Sequence, residues 1–310
     1  MKSALKKILG EQTPLRKERL ERRRVRRQAL DVNFLLITLD SCRYDAYCDA
    51  QTPVLDSFGR SLPAQSPATY TYAAHQSFFV GILPNASEPL PYYNRFRRQL
   101  IGLVGVGEEP IKKSTYFTVV SDRDAVDGLR RAGFATVGTG AMNWFRQSSL
   151  TSSFDQFRML TGAGTQIDYL LRELDTSHPF FAFMNFGETH DPFDYEGKLA
   201  PCPVRVQARL MSWPPQESGP VGREHDAYWH QVEAIEFLDR QLGRLFEGLP
   251  TNTIVVVCGD HGECFGEDGY WGHGVNHPKV FEVPLAFFRL DRRPIEDASD
   301  LSECASEPAS

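Results

Sequence analysis

The 310-residue sequence lacks the long apolar runs and the paired cysteines that mark membrane-spanning and disulfide-bonded proteins. No stretch approaches the roughly 20 apolar residues that a membrane-spanning helix needs. The N-terminus has no apolar core of a secretory signal, and the six cysteines form no Cys-x-x-Cys pair. These absences predict free thiols in a reducing compartment. They therefore favour a cytoplasmic protein, with peripheral attachment to a membrane left open.

The two signs of charge are unevenly distributed along the chain. The first 30 residues carry 11 Lys and Arg against 3 Glu, although the net charge of the whole chain is −6. Such a basic helical leader is either simply solvated, or binds an anionic membrane surface or a polyanion, and nucleic acid is disfavoured because aromatic residues are absent. From Asp291 onward, Ser and acidic residues predict a tail that need not fold. We therefore divide the chain into a leader (1–30), a catalytic domain (31–290) and an acidic tail (291–310).

Apolar runs and helical patterns alternate along the middle of the chain, which predicts an α/β fold with a mostly parallel central sheet and helices on both faces. The predicted strands are 33–39, 62–66, 134–138, 180–186, 253–257 and 284–290. The main predicted helices are 73–82, 122–132, 165–174 and 222–249. Between these elements, we expect the loops at 84–116 and 192–222 to carry substrate specificity.

Polar side chains follow two of these strands at the point where each strand ends. Asp40 follows the first strand, and Asp260 and His261 follow the strand at 253–257. Open α/β sheets bind their ligands at the carboxyl ends of the strands. Two carboxylates and an imidazole suit Zn²⁺ or Mn²⁺ better than Ca²⁺. The sequence therefore predicts a divalent metal site, with one ion expected and a second left open.

Further residues complete the predicted site. Thr71 lies near the start of the helix at 73–82, where backbone N–H groups favour an anion, and its hydroxyl is a candidate nucleophile and fourth metal ligand. His190 follows the strand at 180–186, and His273 lies in a Gly-His-Gly motif. Both histidines are candidates to bind substrate oxygens, protonate a leaving group or hold a second ion. His75, one helical turn after Thr71, is a candidate substrate-facing residue.

The run GDHGECFGEDGYWGHG at 259–274 resembles the DHGE…GE.G…GHG motif of the sulfatase-like branch of the alkaline phosphatase superfamily. The segment 39–45 resembles the metal-binding first strand of that branch. In sulfatases a glycine follows the nucleophile ten residues later, and counting back ten residues from Gly81 arrives at Thr71. A Thr nucleophile is similar to that of phosphoethanolamine transferases and lipoteichoic-acid synthases. The resemblance implies an alkaline-phosphatase-like doubly wound sandwich. It also implies the metal ligands Asp40, Thr71, Asp260 and His261, with His190 and His273 on the substrate side.

This resemblance implies a metal-dependent hydrolase or transferase that acts on a phosphate monoester or diester through a phospho-threonine intermediate. The substrate would be a phosphorylated, less favourably a sulfated, small molecule or lipid. Two departures disfavour sulfate ester hydrolysis: Ser41 follows Asp40 where sulfatases have a second Asp, and Thr71 cannot be oxidised to formylglycine. A sulfatase, and a non-catalytic descendant that binds an anion or a membrane, remain the alternatives.

Overall fold

The computed structural model describes residues 32–80, 124–193, 195 and 219–291. The predicted leader, the loop at 84–116, most of the loop at 192–222 and nearly all of the tail lie outside the described residues. The division of the chain into leader, domain and tail therefore stays a prediction.

The described residues form nine strands and eight α-helices. The strands are β1 Asn33–Leu39, β2 Leu62–Gln65, β3 Ala135–Gly140, β4 Gln156–Met159, β5 Phe180–Phe186, β6 Thr253–Gly259, β7 Cys264–Phe265, β8 Trp271–Gly272 and β9 Glu282–Arg289. The helices are α1 Tyr44–Asp49, α2 Pro53–Asp56, α3 Thr71–Val80, α4 Ala125–Ala132, α5 Ser148–Thr151, α6 Ala163–Glu173, α7 Asp226–Glu247 and α8 Pro278–Phe281.

Seven of these strands form one sheet in the order β2-β9-β6-β1-β5-β3-β4. β1 pairs in parallel with β5 and β6, and β3 pairs in parallel with β4 and β5. β9 runs in the opposite direction and pairs antiparallel with both β2 and β6. The prediction of a mostly parallel sheet in an α/β fold is therefore confirmed. β7 and β8 form a separate small hairpin.

Helices cover the sheet on both faces, because successive side chains of a buried strand point in opposite directions. On one face, α6 and α7 pack in a core cluster that includes Leu35 and Ile37 of β1. On the other face, Phe79 of α3 and Val126 of α4 join Phe183 of β5 in a second cluster. None of the described helices combines the length and the apolar character that a membrane crossing requires.

The predicted elements differ from the observed ones mainly at their ends. The strand at 180–186 agrees with β5, whereas α3 begins at Thr71 rather than at residue 73. Strand β4 and the hairpin of β7 and β8 were not predicted, since β4 is a four-residue strand at the sheet edge and β7 and β8 have two residues each. Short strands of this kind carry too few residues to show a period of two.

Candidate functional site

The carboxyl ends of β1 and β6 bring two carboxylates together. Leu39 pairs with Gly259 in the parallel register, so the residues that follow, Asp40 and Asp260, leave the sheet side by side. Both side chains are fully buried. The edge of the sheet therefore holds two acidic groups away from solvent, an arrangement that is costly unless a cation or a proton compensates it.

Asp260 shows this need for a cation most directly. Its Oδ1 accepts the backbone N–H groups of Ser41 at 3.0 Å and His261 at 2.9 Å. Its Oδ2 is buried and has no hydrogen-bond partner in the described part of the chain. The pKa of Asp260 is raised well above its usual value, mainly by burial and secondly by the charge of Asp40. A buried carboxylate oxygen without a donor beside a second carboxylate fits a site for a cation.

His261 offers a nitrogen donor to the same point. Its Nδ1–H donates to the carbonyl oxygen of Gly262 at 2.9 Å, so the lone pair is on Nε2, 3.8 Å from Asp40 Oδ1 and 3.6 Å from Asp260 Oδ2. Burial, and secondly the nearby His273, lower the pKa of His261 well below its usual value and keep the ring neutral. One ligand atom each from Asp40, Asp260 and His261 lies within 4.8 Å of the others. This mixed set could hold a divalent metal ion.

Thr71 is the first residue of α3, and its side chain reaches the same cluster. Its Oγ1 lies 3.4 Å from Asp40 Oδ2 and 3.3 Å from His261 Nε2, and the residue is buried. The N–H groups in the first turn of a helix lack intrahelical acceptors, which favours an anion there. The structure therefore brings together Thr71 and the three candidate metal ligands.

Two glycines allow the backbone to pass close to its neighbours at this edge. A side chain at Gly262 would collide with the backbone oxygen of Lys279, and one at Gly259 would lie 2.7 Å from the backbone oxygen of Cys42. The N–H of Gly262 also donates to the carbonyl of Val280 at 2.7 Å. The glycines on either side of the Asp-His pair are thus required by close packing.

His190 and His273 lie nearer the surface than the candidate ligands. The ring centroid of His273 is 4.5 Å from that of His261 and 5.3 Å from that of His190. Nδ1 of His273 donates to Glu263 Oε1 at 3.3 Å, and Nδ1 of His190 donates to the carbonyl of Asp191 at 2.6 Å, so Nε2 of each ring is the nitrogen that can face a substrate. Burial alone would lower the pKa of His273, but the hydrogen bond and charge of Glu263 outweigh it and raise the pKa.

His75 lies beneath the site and does not line its opening. It is fully buried, and burial lowers its pKa to about 4, which keeps the ring neutral. Nδ1 donates to the carbonyl of Thr71 at 2.7 Å, and Nε2 lies 3.0 Å from the hydroxyl of Thr38. Both ring nitrogens are thus engaged within the protein, and the predicted contact of His75 with a substrate stays a prediction.

Sequence reasoning missed two amide side chains that hold the loops of the site. Nδ2 of Asn185 donates to Asp40 Oδ2 at 3.2 Å. Nε2 of Gln231 donates to the carbonyls of Ser41 and Thr189, each at 2.9 Å, and so joins the loops after β1 and β5 to α7. An amide inside an otherwise apolar strand or on the buried stripe of a helix is the signal that could have identified both residues.

Arg43, whose side chain is buried, forms a cluster of ion pairs with partly exposed neighbours beside the site. Its guanidinium binds both oxygens of Asp45, at 2.9 and 2.7 Å, and Glu267 at 2.6 Å. Lys279 donates to Asp45 at 2.8 Å. The Arg43 cluster (Arg43, Asp45, Glu267 and Lys279) therefore joins the loop after β1 to the glycine-rich segment and to α8.

Comparisons with known proteins agree with this fold. The family model "Sulfatase" matches residues 126–285. The C-terminal periplasmic domain of EcEptC from Escherichia coli, in complex with Zn, is similar with a TM-score of 0.56 at 12% identity, covering 87% of this chain and 77% of that one. The C-terminal periplasmic domain of the phosphoethanolamine transferase EptC from Campylobacter jejuni has a TM-score of 0.51 and a sequence identity of 13%, and the match covers 86% of this chain and 83% of that one. The putative sulfatase yidJ from Bacteroides fragilis has a TM-score of 0.53 and a sequence identity of 17%, and the match covers 84% of this chain and 68% of that one. No curated protein matches significantly.

These findings confirm the resemblance to the sulfatase-like branch of the alkaline phosphatase superfamily and correct one prediction. The expected cytoplasmic location is contradicted, because similar solved structures are periplasmic domains. That expectation rested on unpaired cysteines and on the composition of the N-terminal residues. The fold does not depend on either property, so neither property determines the compartment in which a protein of this fold is found.

Proposed function

The chain belongs to the sulfatase family, and on this premise we propose that it is a metal-dependent phosphate-ester hydrolase or phosphotransferase with Thr71 as its nucleophile. The observation that carries the proposal is the position of the Thr71 hydroxyl, 3.4 Å from Asp40 and 3.3 Å from His261 at the start of a helix. A hydroxyl buried among metal-ligand side chains has the surroundings of an activated nucleophile.

The proposed metal ligands are Asp40, Thr71, Asp260 and His261. Zn²⁺ is the favoured ion and Mn²⁺ the alternative, with a second ion left open. When bound, the ion would lower the pKa of the Thr71 hydroxyl and stabilise negative charge on the substrate. The unpartnered Oδ2 of Asp260 and the Nε2 lone pair of His261 are the two features of this chain that such an ion would satisfy.

In the proposed reaction, the Thr71 hydroxyl loses its proton to water, its oxygen attacks phosphorus in line with the ester bond that breaks, and a phospho-threonine forms. N–H groups at the start of α3 hold the phosphoryl oxygens. His273, its ring fixed at Nδ1 by Glu263, offers Nε2 to the leaving oxygen and protonates it. His190 binds a substrate oxygen through Nε2. Water or an acceptor alcohol then takes the phosphoryl group from Thr71.

Phosphate is favoured over sulfate by the residues of the site. Thr71 cannot be oxidised to formylglycine, and Ser41 stands where sulfatases have a second Asp. One similar structure is described as a phosphoethanolamine transferase and another as a putative sulfatase. We propose a phosphorylated small molecule or lipid as the substrate and keep the sulfate ester as the alternative.

Initial rates test this proposal. The purified protein is assayed on nitrophenyl phosphate, bis(nitrophenyl) phosphate and nitrophenyl sulfate, each with Zn²⁺, Mn²⁺ or a chelator. We expect chelator-sensitive turnover of a phosphate ester. Thr71→Ala should abolish turnover while Zn²⁺ still binds, and Thr71→Ser, which keeps the hydroxyl, should retain part of the rate. Mass spectrometry of the acid-quenched enzyme should find phosphate on Thr71.

Other outcomes of this assay have distinct meanings. Turnover of the sulfate ester alone would favour the sulfatase alternative. Full activity of Thr71→Ala would move the nucleophile elsewhere. Failure to bind any metal ion would remove the basis of the proposal and favour a non-catalytic, anion-binding descendant.

For the N-terminal leader (1–30), we propose attachment to an anionic membrane surface, with residues 31–290 as the catalytic domain and 291–310 as an acidic tail. The excess of Lys and Arg in the leader is the support for this proposal. The full chain should co-sediment with phosphatidylserine vesicles at low salt, and a variant lacking residues 1–30 should not. Equal sedimentation of the two proteins would refute the attachment.

A further inference from the structure

Asp40 and Thr71 are joined through the protein interior as well as directly. Nδ2 of Asn185 lies 3.2 Å from Asp40 Oδ2 and 3.1 Å from the hydroxyl of Thr38. The Thr38 hydroxyl lies 3.0 Å from Nε2 of His75, and Nδ1 of His75 lies 2.7 Å from the carbonyl of Thr71. Asn185, Thr38 and His75 are all completely buried.

The acceptors at the two ends of this series of hydrogen bonds, Asp40 and the carbonyl of Thr71, determine the direction of each bond in it. The carboxylate of Asp40 only accepts, so the Asn185 amide must turn its NH₂ group toward Asp40 and Thr38. The carbonyl of Thr71 also only accepts, so Nδ1 of His75 carries the proton and Nε2 of the neutral ring is an acceptor. The hydroxyl of Thr38 then accepts from Asn185 and donates to His75 at 3.0 Å, which is closer than its other acceptor, the carbonyl of Met184 at 3.5 Å. Each link has one donor and one acceptor, with no conflict.

We propose that Asn185, Thr38 and His75 are positioning residues that hold Thr71 against Asp40, an inference that rests on the proposed role of Thr71 as nucleophile. We call these three residues the interior relay. They come from three different elements, β5, β1 and α3, so the relay fixes the first turn of α3 relative to the end of β1. None of the three touches the substrate. Their role is to set the geometry of the hydroxyl that does.

The surroundings of His75 support a specific hydrogen-bonding role rather than simple packing. Its ring makes edge-to-face contacts with Phe78, Phe145 and Phe183, at centroid distances of 5.5, 5.0 and 5.5 Å. An apolar side chain would suit these aromatic neighbours, and a buried imidazole is costly unless both nitrogens are satisfied. Here both are satisfied, by Thr38 and by Thr71.

Thr38 is the position at which the relay can be cut without touching a candidate ligand. Thr38→Val keeps the shape of the side chain and removes the hydroxyl, whereas Thr38→Ser removes the methyl group and keeps the hydroxyl. Because a displacement of about 1 Å can cost two orders of magnitude in rate, we expect Thr38→Val to lower kcat by about tenfold or more. KM and the affinity for Zn²⁺, titrated alone, should stay near their wild-type values, and Thr38→Ser should keep most of the wild-type kcat.

Two results of this assay would overturn the relay. Wild-type kcat in Thr38→Val would show that the hydroxyl does not position Thr71. Equal losses in Thr38→Val and Thr38→Ser would assign the effect to packing rather than to hydrogen bonding. If Thr38→Val does not fold, Thr38→Ala removes the same hydroxyl without adding a methyl group, and the same criteria apply to it.

A second measurement separates the relay from the proposed function. In ¹⁵N-histidine-labelled protein, with His75 assigned from the His75→Gln spectrum, we expect a proton on Nδ1 and none on Nε2. Thr38→Val should move the Nε2 resonance to higher frequency, because this atom loses its donor. A proton on Nε2 of the wild-type ring would overturn the relay whatever the activity. Absence of phosphate-ester turnover in the wild type would count against the proposed function alone.

Discussion

Single residues at this site combine features that oppose stability but suit a ligand. Asp40 and Asp260 are buried together, and one oxygen of Asp260 has no partner among the described residues. Removing a buried charge that has no compensating partner need not weaken a protein. In this chain, the carboxylate pair is best explained by the divalent metal ion that we propose it holds.

Replacement of Asp260 by Asn tests this explanation. The amide oxygen can still accept the two backbone N–H groups, so the metal-free variant should be at least as stable as the metal-free wild type. The stabilisation that Zn²⁺ gives the wild type, about 2.7 kcal/mol at a concentration 100 times Kd, should be lost. Thermal unfolding with Zn²⁺ and with chelator measures both effects. The control variant Asp239→Asn, at a buried carboxylate of α7, should still be stabilised by Zn²⁺. Loss of the Zn²⁺ stabilisation in this control would contradict a metal site at Asp260.

At the scale of elements, the site depends on how closely loops approach one another. The glycine-rich segment after β6 packs against the backbone of α8 at Gly262. The Arg43 cluster adds two ion pairs, from the buried Arg43 to Glu267 in this segment and from Lys279 of α8 to Asp45 of α1. These two ion pairs join parts of the chain that are more than 200 residues apart in sequence.

A methyl group at Gly262 should prevent the glycine-rich segment from packing this closely against α8. Gly262→Ala places a Cβ against the backbone oxygen of Lys279, so the segment must move, and we expect a loss of about 1–3 kcal/mol in the free energy of unfolding together with loss of activity. Gly128→Ala in α4 is the matched control, because no atom lies within 4 Å of its added Cβ. That variant should be stabilised by about 0.5–1 kcal/mol. Urea unfolding compares the two, and equal effects would refute the packing argument.

The Arg43 cluster should make stability depend on acid. Burial alone would raise the pKa of Asp45, but the hydrogen bonds and charges of Arg43 and Lys279 outweigh it and hold the pKa well below its usual range. Since the folded-state pKa lies below the unfolded one, the stabilisation is complete above the ordinary Asp pKa of about 4 and disappears as the pH falls below it.

Because Asp45 is partly exposed and solvent screens its ion pairs, we expect Asp45→Asn to cost about 1–2 kcal/mol near neutral pH and progressively less in acid. Urea unfolding at several pH values between neutral and acid measures the difference from the wild type. The exposed pair of Asp168 and Arg244 provides the control, and Asp168→Asn should change stability by less than about 1 kcal/mol. A difference for Asp45→Asn that does not shrink in acid would contradict the assigned ion pair.

At the scale of the whole molecule, stability should decrease from the centre of the sheet toward its edges. β1 pairs with strands on both sides and packs in the core clusters of both faces, whereas β2 and β4 are edge strands of four residues. We expect amide hydrogen exchange to be slowest in β1, β5 and β6 and fastest in β2 and β4. Exchange measured by mass spectrometry on peptides from these strands checks this order, and equal rates in β1 and β4 would contradict it.

Local sequence patterns were sufficient to predict the strands at the centre of the fold and the acidic and imidazole side chains at their ends. The reason is that a buried parallel strand is a short apolar run, and the residue after it lies at the sheet edge wherever the strand is placed. Asp40, Asp260 and His261 could be grouped in this way before their distances were known. The resemblance of the segments 39–45 and 259–274 to sulfatase-like motifs implied the same grouping.

Only the tertiary structure decided what lies beneath that edge. Thr71 and His75 are four residues apart on one helix, and their spacing says that they share a face, but the packing of α3 on the sheet decides that His75 points to Thr38. Asn185 and Thr38 are 147 residues apart, and they meet because β1 and β5 pair in one particular register. Contacts of this kind depend on strand order and register, which are set by the packing of the whole chain and leave no mark in local spacing.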